Sequence, residues 1–203
     1  MNVIYLASRS PRRRELLAQI GVRFEMLLFR EGARQDAETL EDAYPGEHAD
    51  DYVRRVARMK AEAAWQRVVM RKGLRRMPVL AADTTVALAN EMLAKPADAA
   101  DAARMLRLLA GTRHRVLTAV AIAFEGRLEM RSSESHVTLC PLDEDRVAAY
   151  VASGEPFDKA GGYGIQGRAG AFVSRVEGSY SGVMGLPLFE TAELLREFGV
   201  SVP

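Results

Sequence analysis

Basic side chains gather where an apolar segment ends and a helix is predicted to begin. Val3 to Ala7 form a short apolar run that predicts a buried strand. Pro11, with Ser10 before it as the N-cap, is typical of the first turn of a helix. Arginines at 12–14 fall in that turn, where free backbone N–H groups and the helix dipole favour an anion. The stretch predicts either an anion site or a solvated arginine run. It is not a Walker loop, since G-x-x-x-x-G-K-S/T occurs nowhere.

A lysine falls on the apolar face of a predicted long helix. Asp50 or Asp51 is predicted to cap this helix, which runs to about Arg71. Lys60 lies in the middle of the apolar arc of this helix. The apolar residues on that arc are Val53, Val56, Ala57, Ala61, Ala64 and Val68. Burying an ammonium there is costly unless its stem reaches solvent or its charge meets an anion. Lys60 is therefore predicted either to snorkel or to face a phosphate.

An aspartate and a second lysine follow further apolar segments. Asp83 comes directly after the predicted buried strand 78–82, at the end where open α/β sheets bind their ligands. The alternative is an aspartate that makes a local Asx turn. Lys95 is held extended by Pro96, ahead of a helix predicted from Asp98 to Leu109. These residues add a carboxylate and a cation to the chemistry of the candidate anion site.

The composition excludes several classes of protein and site. At 203 residues, with 48% hydrophobic and 27% charged residues, the chain fits one globular domain, predicted to span 1–203. A net charge of +1 gives no general attraction to nucleic acid. The one cysteine, Cys140, excludes an internal disulfide and a cysteine-rich zinc site. Without a signal-peptide pattern or an apolar run of ~18 residues, we expect a cytoplasmic protein that binds neither membrane nor nucleic acid.

Helical and strand patterns alternate along the chain, and two of the strands form a hairpin. Strands are predicted at 24–29, 114–124, 128–140 and 171–176, and helices at 98–109, 143–151 and 186–198. The acidic segment from Arg30 to Asp51 predicts a long loop, and six glycines between 153 and 170 predict tight turns or close backbone approach. This order predicts an α/β fold with a mixed, twisted sheet and flanking helices.

Six segments, taken together and in order, resemble the Maf family of nucleoside triphosphate pyrophosphatases over the whole chain. They are L-A-S-R-S-P-R-R-R-E-L-L at 6–17, Y-V-R-R-V-A-R-M-K-A at 52–61, A-A-D-T-T-V at 81–86, K-P at 95–96, S-G-E-P-F-D-K-A-G-G-Y-G-I-Q-G at 153–167 and G-S-Y-S-G-V-M-G-L-P at 178–187. Each segment alone is a weak signal, whereas all six in this order are a specific one.

The resemblance implies a fold like that of inosine triphosphate pyrophosphatases, with two lobes around a central cleft that holds the substrate. The implied reaction is hydrolysis of a nucleoside triphosphate to the monophosphate and pyrophosphate, with Mg²⁺ or Mn²⁺ as the divalent metal. The resemblance also suggests a homodimer. Within the family, the chain resembles the branch that acts on dTTP, UTP and related modified pyrimidine nucleotides. The residues that carry this resemblance are Arg12, Thr84 and Gln166. The sister branch, which prefers 7-methylated GTP, carries other residues at these places.

The family's functional positions fall on residues that their chemistry already singles out. By resemblance, Asp83 is the proton acceptor, and Lys60 and Lys95 bind phosphate. The resemblance assigns Ser8, Arg12 and Arg13 to the phosphate-binding loop, and specificity to Arg12, Thr84 and Gln166.

One acidic residue from the loop after the second strand is also expected near the metal, together with Asp83. The compact Asp-Glu pair that is usual in the family is not obvious here, and the loop is longer than in many members. Counting back from Pro45-Gly46-Glu47 favours Glu41, with Glu38 or Asp42 as alternatives.

Two other functions are compatible with parts of this pattern. Because the family is also linked to arrest of cell division, the chain could be a nucleotide-binding regulatory protein with little hydrolysis. The basic cluster at 71–76 could instead bind nucleic acid, but it lies at a predicted helix end, where cations suit the dipole, and no aromatic platform accompanies it. Release of pyrophosphate from a nucleoside triphosphate distinguishes the enzyme from the regulatory protein.

Overall fold

The structure, a computed structural model, describes residues 3–27 and 41–202, and within those ranges it contains seven β-strands and six α-helices. The strands are β1 (Val3–Leu6), β2 (Arg23–Met26), β3 (Val79–Leu88), β4 (Glu91–Leu93), β5 (Arg113–Phe124), β6 (Arg127–Leu139) and β7 (Val173–Glu177). The helices are α1 (Pro11–Gln19), α2 (Ala49–Met70), α3 (Ala99–Leu109), α4 (Glu144–Ala152), α5 (Tyr180–Met184) and α6 (Leu188–Glu197). Short 3₁₀ turns cover Glu155–Asp158, Ala160–Gly162 and Arg168–Phe172.

The strands form one mixed sheet in the order β2-β1-β3-β5-β6-β7, with β4 added to β3. β1 runs parallel to β2 and β3, whereas β3, β5, β6 and β7 are antiparallel neighbours. The hairpin predicted between β5 and β6 is confirmed, with Glu125 and Gly126 in its turn. The predicted α/β class with a mixed sheet and flanking helices is therefore confirmed.

One edge of β3 is left open between two partners. β1 pairs with this edge only as far as Leu80, and β4 pairs with it from Val86 onward. β5 occupies the opposite edge along nearly the whole strand. Among the described residues, positions 81–85 of β3 therefore have no strand neighbour on the β1 side. This interruption is the place where a ligand can approach the middle of the sheet.

Asp83 lies in the interior of β3 and not at a strand end. The prediction that the strand stops at Ala82 is wrong, because Asp83 to Thr85 continue the antiparallel ladder with β5. The aspartate still faces a ligand-accessible edge, since β1 has ended by that point. The edge is open because the neighbouring strand, β1, ends there, whereas β3, which carries the aspartate, continues.

α2 covers one face of the sheet with the apolar arc predicted from its periodicity. Val53, Val56, Ala57, Ala61, Ala64 and Val68 are all buried. All of them except Val56 belong to one core cluster with alternate residues of β3, including Val79 and Ala81. Asp83 continues this alternation, so α2 sets Lys60 directly above it. α1 and α6 cover the opposite face, and α3 and α4 enclose a third cluster around Leu106.

The helix starts test the capping predictions. Ser10 is the N-cap of α1, and its hydroxyl accepts from the backbone N–H of Arg13 at 3.4 Å, which confirms the predicted start. α2 begins at Ala49 after His48, so the predicted cap by Asp50 or Asp51 is wrong. Both aspartates lie in its first turn, where a carboxylate still suits the helix dipole.

Two short elements, β4 and α5, were not among the predicted strands and helices. Three- and five-residue elements carry too few residues for a periodic signal. The loop predicted at 30–51 lies partly outside the described residues, and α2 has begun before its end. Within 3–27 and 41–202, no helix has the length and apolar character that crossing a membrane requires.

Candidate active site

A cleft of about 780 Å³ opens at the interruption beside β3. Its walls come from the β1–α1 connection, α2, β3, the segment after β4, and the glycine-rich stretch around residues 157–166. Each of the nine residues predicted for the site lines this cleft: Ser8, Arg12, Arg13, Glu41, Lys60, Asp83, Thr84, Lys95 and Gln166. The tertiary structure therefore brings together positions that are spread over most of the sequence.

Four charged side chains alternate across the floor of the cleft. The Nζ atom of Lys60 lies 2.7 Å from Oδ1 of Asp83 and 2.6 Å from Oε1 of Glu41. The Nζ atom of Lys95 donates to the second Glu41 oxygen at 3.1 Å. The side chains of Lys60 and Asp83 are only 16% and 9% exposed. The ammonium of Lys60 thus meets two protein carboxylates, a pairing that helical periodicity alone did not predict.

The lysines keep Glu41 ionised. Burial by itself raises the pKa of this carboxyl, but the charges and hydrogen bonds of Lys60 and Lys95 outweigh it and lower the pKa to about 2. Glu41 is therefore an anion at every pH at which the protein is expected to work. Of the two alternatives to it, Glu38 lies outside the described residues, and Asp42 offers its backbone carbonyl to Arg55 at 2.9 Å.

Arg13 ties three walls of the cleft together. Its guanidinium donates to the carbonyl of Gly185 at 2.7 Å and to that of Ala82 at 2.8 Å. It also donates to the hydroxyls of Thr84 at 3.1 Å and Ser8 at 3.4 Å. The bond to Ala82 occupies the open edge of β3, where a strand partner is missing. Burial lowers the pKa of Arg13, yet arginine stays charged, so it contributes fixed positive charge and a rigid frame.

Two predicted residues lie at the mouth of the cleft. Nη1 of Arg12 is 3.5 Å from Oδ2 of Asp158, whose side chain is 63% exposed. Such a pair adds little stability, so Arg12 is available to an incoming ligand. Gln166 is exposed in the glycine-rich stretch on the same side. These two side chains are placed where an entering group would meet them first.

The carboxylate of Glu155 organises the glycine-rich stretch. Its carboxylate accepts from the Tyr150 hydroxyl at 2.9 Å and from the backbone N–H of Arg168 at 3.0 Å. A Cβ on Gly167 would overlap the Glu155 carboxylate, so a larger residue there would require that side chain to move. This arrangement fixes the segment that presents Gln166 to the cleft.

Two lining residues were missed by the sequence reasoning. Tyr52, on the first turn of α2, donates its hydroxyl to the Glu41 carbonyl at 2.8 Å. Lys159 donates to the Glu155 carbonyl at 2.7 Å, and its side chain is only 13% exposed. Both belong to segments quoted for the family resemblance, but neither has a periodicity or capping signal. A charged residue within a glycine-rich run was the available hint for Lys159.

The donor set fits a divalent cation that shares its shell with phosphate. Oxygens of Asp83 and Glu41 already converge on one positive charge, the ammonium of Lys60. Across 3–27 and 41–202, no group of three or more His, Cys, Asp or Glu side chains is arranged to hold a metal. Mg²⁺ typically takes one or two carboxylates plus substrate phosphates and water, and it does not need a complete protein cage. Two carboxylates therefore suit such an ion.

Comparison with known proteins gives consistent matches. Residues 3–198 match the family described as Maf-like protein. A protein of Cupriavidus metallidurans, named dTTP/UTP pyrophosphatase, is 58% identical over 199 residues, which cover 98% of each chain. One of Aromatoleum aromaticum with the same name is 56% identical over 197 residues, covering 97% of this chain and 95% of that one. The Staphylococcus aureus Ham1 protein is a remote structural match, with a TM-score of 0.37, 12% identity, and coverage of 68% of this chain and 72% of that chain.

Proposed function

Because the chain belongs to the Maf family, we propose that it is a nucleoside triphosphate pyrophosphatase that hydrolyses dTTP, UTP and related modified pyrimidine nucleotides. The products are the nucleoside monophosphate and pyrophosphate. The observation that carries the proposal is the cleft at the open edge of β3, where Asp83 and Glu41 alternate with Lys60 and Lys95. Carboxylates for a water and a cation, beside lysines for phosphates, are the groups that this hydrolysis needs.

The basic residues bind the triphosphate. Lys95 is 57% exposed beside the cleft and Arg12 lies at its mouth, so both reach an entering phosphate chain. Ser8 and the N-terminus of α1 add a hydroxyl, backbone N–H groups and the positive end of a dipole. Arg13 supplies its charge while its N–H groups hold the walls. Lys60 completes the set from α2. Charge-assisted hydrogen bonds of this kind orient the α-phosphorus for attack.

Asp83 positions the attacking water or takes its proton. It is buried next to Lys60, with its Oδ1 2.7 Å from the ammonium, and it lines the cleft where the water would bind. The water attacks the α-phosphorus, the bond to the pyrophosphate oxygen breaks, and the proton passes to the carboxylate. Lys60 and Lys95 offset the negative charge that develops on the leaving pyrophosphate. This assignment requires no covalent intermediate.

Mg²⁺ or Mn²⁺ is the proposed cofactor, held by Asp83 and Glu41. When bound, such an ion neutralises phosphate charge and acidifies a coordinated water. The convergence of the two carboxylates on the Lys60 ammonium supports this site, because it is already built to surround a cation.

Specificity is proposed to come from Arg12, Thr84 and Gln166. Thr84 is half-buried on the floor of the cleft, whereas Gln166 and Arg12 are at its rim. The hydroxyl and the amide can hydrogen-bond the edge of a pyrimidine. The names of the relatives, dTTP/UTP pyrophosphatase, support this substrate class.

The deciding experiment is a substrate panel. The purified protein is incubated with UTP, dTTP, CTP, ATP and GTP, each with Mg²⁺ or Mn²⁺, and pyrophosphate and orthophosphate are measured separately. We expect equal amounts of pyrophosphate and monophosphate from UTP and dTTP. Release of orthophosphate with the diphosphate would overturn attack at the α-phosphorus. Nucleotide binding without any pyrophosphate would favour the regulatory protein.

The remaining expectations are also proposed for this chain. We propose a single domain over 1–203, a homodimer, a cytoplasmic location and no binding to nucleic acid. The exposed basic cluster at 71–76, just after α2, does not require a nucleic acid as partner, because cations near a helix C-terminus are stabilised by the helix dipole and by water. Light scattering after gel filtration measures the mass of the assembly.

A further inference from the structure

A row of hydrogen bonds runs beneath the floor of the cleft from α1 to α5. Nη2 of Arg13 lies 3.1 Å from Oγ1 of Thr84. Thr84 is opposite Thr118 in the β3–β5 ladder, and their hydroxyl oxygens are 3.0 Å apart. Thr118 is fully buried, and its hydroxyl donates to the carbonyl of Gly182 at 2.8 Å. The row therefore has a guanidinium at one end and a carbonyl at the other.

The two ends determine where each hydroxyl hydrogen points. A guanidinium has only donors, and a backbone carbonyl has only acceptors. Thr118 has one hydroxyl hydrogen, which goes to the Gly182 carbonyl, so it meets Thr84 as an acceptor. Thr84 must then give its own hydrogen to Thr118, while it accepts from Arg13. One lone pair of the Thr84 hydroxyl is left for the cleft, and no hydrogen is left.

Hydrogen bonds hold the Arg13 end of this row. Arg13 is fixed by the carbonyls of Gly185 and Ala82, so its guanidinium cannot turn away from Thr84. A Cβ on Gly185, whose φ is 112°, would come within 3.4 Å of both Arg13 Nε and Thr84 Oγ1. Gly185, Arg13 and Thr84 are therefore direct neighbours at this end of the row. The direction of the hydrogen bonds is therefore a built-in property of the fold.

We propose that Thr118 makes Thr84 an acceptor-only group and thereby selects nucleobases with an N–H directed at it. Uracil and thymine carry such an N–H at N3, whereas N3 of cytosine has no hydrogen and would face an oxygen lone pair. This inference rests on the proposed function, and it predicts that the protein prefers dTTP and UTP to CTP. Thr118 is buried away from the substrate, so it is a positioning residue that acts through Thr84.

The test replaces Thr118 by valine, which has nearly the same shape but no hydroxyl. Thr84 then keeps its hydrogen free for the cleft and can donate to N3 of cytosine. We expect the ratio of kcat/KM for UTP to that for CTP, measured by pyrophosphate release, to fall by about tenfold, the size of one hydrogen bond. The fall comes mainly from improved use of CTP, which a merely loosened fold would not produce.

Thr118→Ser is the matched control, because it keeps the hydroxyl and the direction of the row. We expect it to retain the wild-type ratio, and the thermal midpoint of each variant reports on folding. Thr118→Ala replaces the valine variant if that one does not fold. An unchanged ratio in the folded valine or alanine variant, or an equal fall in the serine variant, overturns the role of Thr118. A wild-type protein that uses UTP and CTP equally overturns it too. Failure of the wild type with all nucleotides overturns the proposed function as well.

Discussion

At the scale of single residues, the cleft holds its charges in compensated pairs. Asp83, Lys60, Glu41 and Lys95 follow one another, each within hydrogen-bonding distance of the next. Removing Lys60, for example, leaves the buried Asp83 carboxylate without the ammonium that it meets here, which is costly. The same alternation offers an opposite charge both to the proposed cation and to the proposed triphosphate. Substitutions in this row should therefore change binding in opposite directions for the two ligands.

Asp83→Asn tests the proposed base. The amide keeps the shape of the side chain but cannot accept the proton of the attacking water, so we expect kcat for UTP to fall by at least about 100-fold. Pyrophosphate release is measured together with the thermal midpoint. Asp145→Asn, at an exposed position of α4, is the control and should retain wild-type kcat. Near-normal turnover by folded Asp83→Asn would remove Asp83 from this role.

Lys60→Met separates the two ligands of the site. Loss of the ammonium removes a proposed phosphate ligand, and we expect KM for UTP to rise about tenfold or more. The same change removes the cation that Asp83 and Glu41 now share, so Mn²⁺ should bind the nucleotide-free protein more tightly. Electron paramagnetic resonance of free Mn²⁺ measures that affinity without any turnover.

The control for this variant is Lys72→Met, an exposed lysine just beyond α2. It should leave both the KM and the Mn²⁺ affinity as in the wild type. If Lys60→Met binds Mn²⁺ no more tightly than the wild type, the carboxylates do not form the proposed cation site. An unchanged KM would show that Lys60 is not a phosphate ligand.

At the scale of elements, α2 organises the site from two sides. Its buried arc sets Lys60 over β3, and its first turns hold the segment that delivers Glu41. Arg55 donates two hydrogen bonds to Glu47, at 2.6 and 2.7 Å, and stacks over the Tyr44 ring at 4.0 Å. One helix thus fixes both the ammonium and the carboxylate that it meets.

Tyr52→Phe tests this support. The variant keeps the ring but removes the hydrogen bond to the Glu41 carbonyl, at a cost of about 1 kcal/mol in the free energy of unfolding. Because Glu41 is then held less firmly, we expect kcat/KM to fall several-fold and the Mn²⁺ affinity to weaken. Tyr180→Phe, at a half-exposed tyrosine of α5, is the matched control. Wild-type Mn²⁺ affinity in Tyr52→Phe would argue against the supporting role.

At the scale of the whole molecule, the sheet carries both the core and the site. Its two faces are closed by helices, and the cleft opens where β1 and β4 leave a stretch of β3 without a partner. A buried histidine lies away from the charged floor of this cleft. His114 on β5 is bonded through Nε2 to the Tyr163 hydroxyl at 2.7 Å and is only 1% exposed.

The stability of the protein should fall in mild acid because of this histidine. Burial, with a smaller contribution from His136, lowers the pKa of His114 to about 4, against a value near 6.5 when unfolded. As the pH falls below about 6.5, the unfolded chain takes up a proton that the folded protein does not, so unfolding becomes easier. Between pH 7.5 and 5 the loss is about 2 kcal/mol. The pKa of Glu41 is already near 2, so that carboxyl adds nothing in this window.

Urea unfolding at both pH values, followed by the fluorescence of the single tryptophan, Trp65, measures this loss. His114→Phe removes the titrating group, so its difference in stability between the two pH values should shrink by about 2 kcal/mol. His48→Gln, at an exposed histidine, should keep the wild-type difference. A full loss retained in His114→Phe would assign the acid sensitivity to another group.

The sequence by itself determined the local features of this protein. Apolar runs located the main strands, Ser10 and Pro11 marked the start of α1, and periodicity named the buried arc of α2 with Lys60 on it. These features follow from contacts within a few residues, which the order of side chains specifies directly. The resemblance to the family added the set of candidate residues, because the chain contains the six family segments in order.

Only the tertiary structure decided what these residues meet. It placed Asp83 inside β3 beside an open edge, set Lys60 between two carboxylates, and committed the N–H groups of Arg13 to protein oxygens. The missing strand partner, the row through Thr118 and the short α5 likewise depend on segments far apart in the chain. Periodicity tells which way a side chain points, whereas packing of distant elements decides which group lies there. For that reason the sequence could predict which residues form the site, but not which groups they pair with.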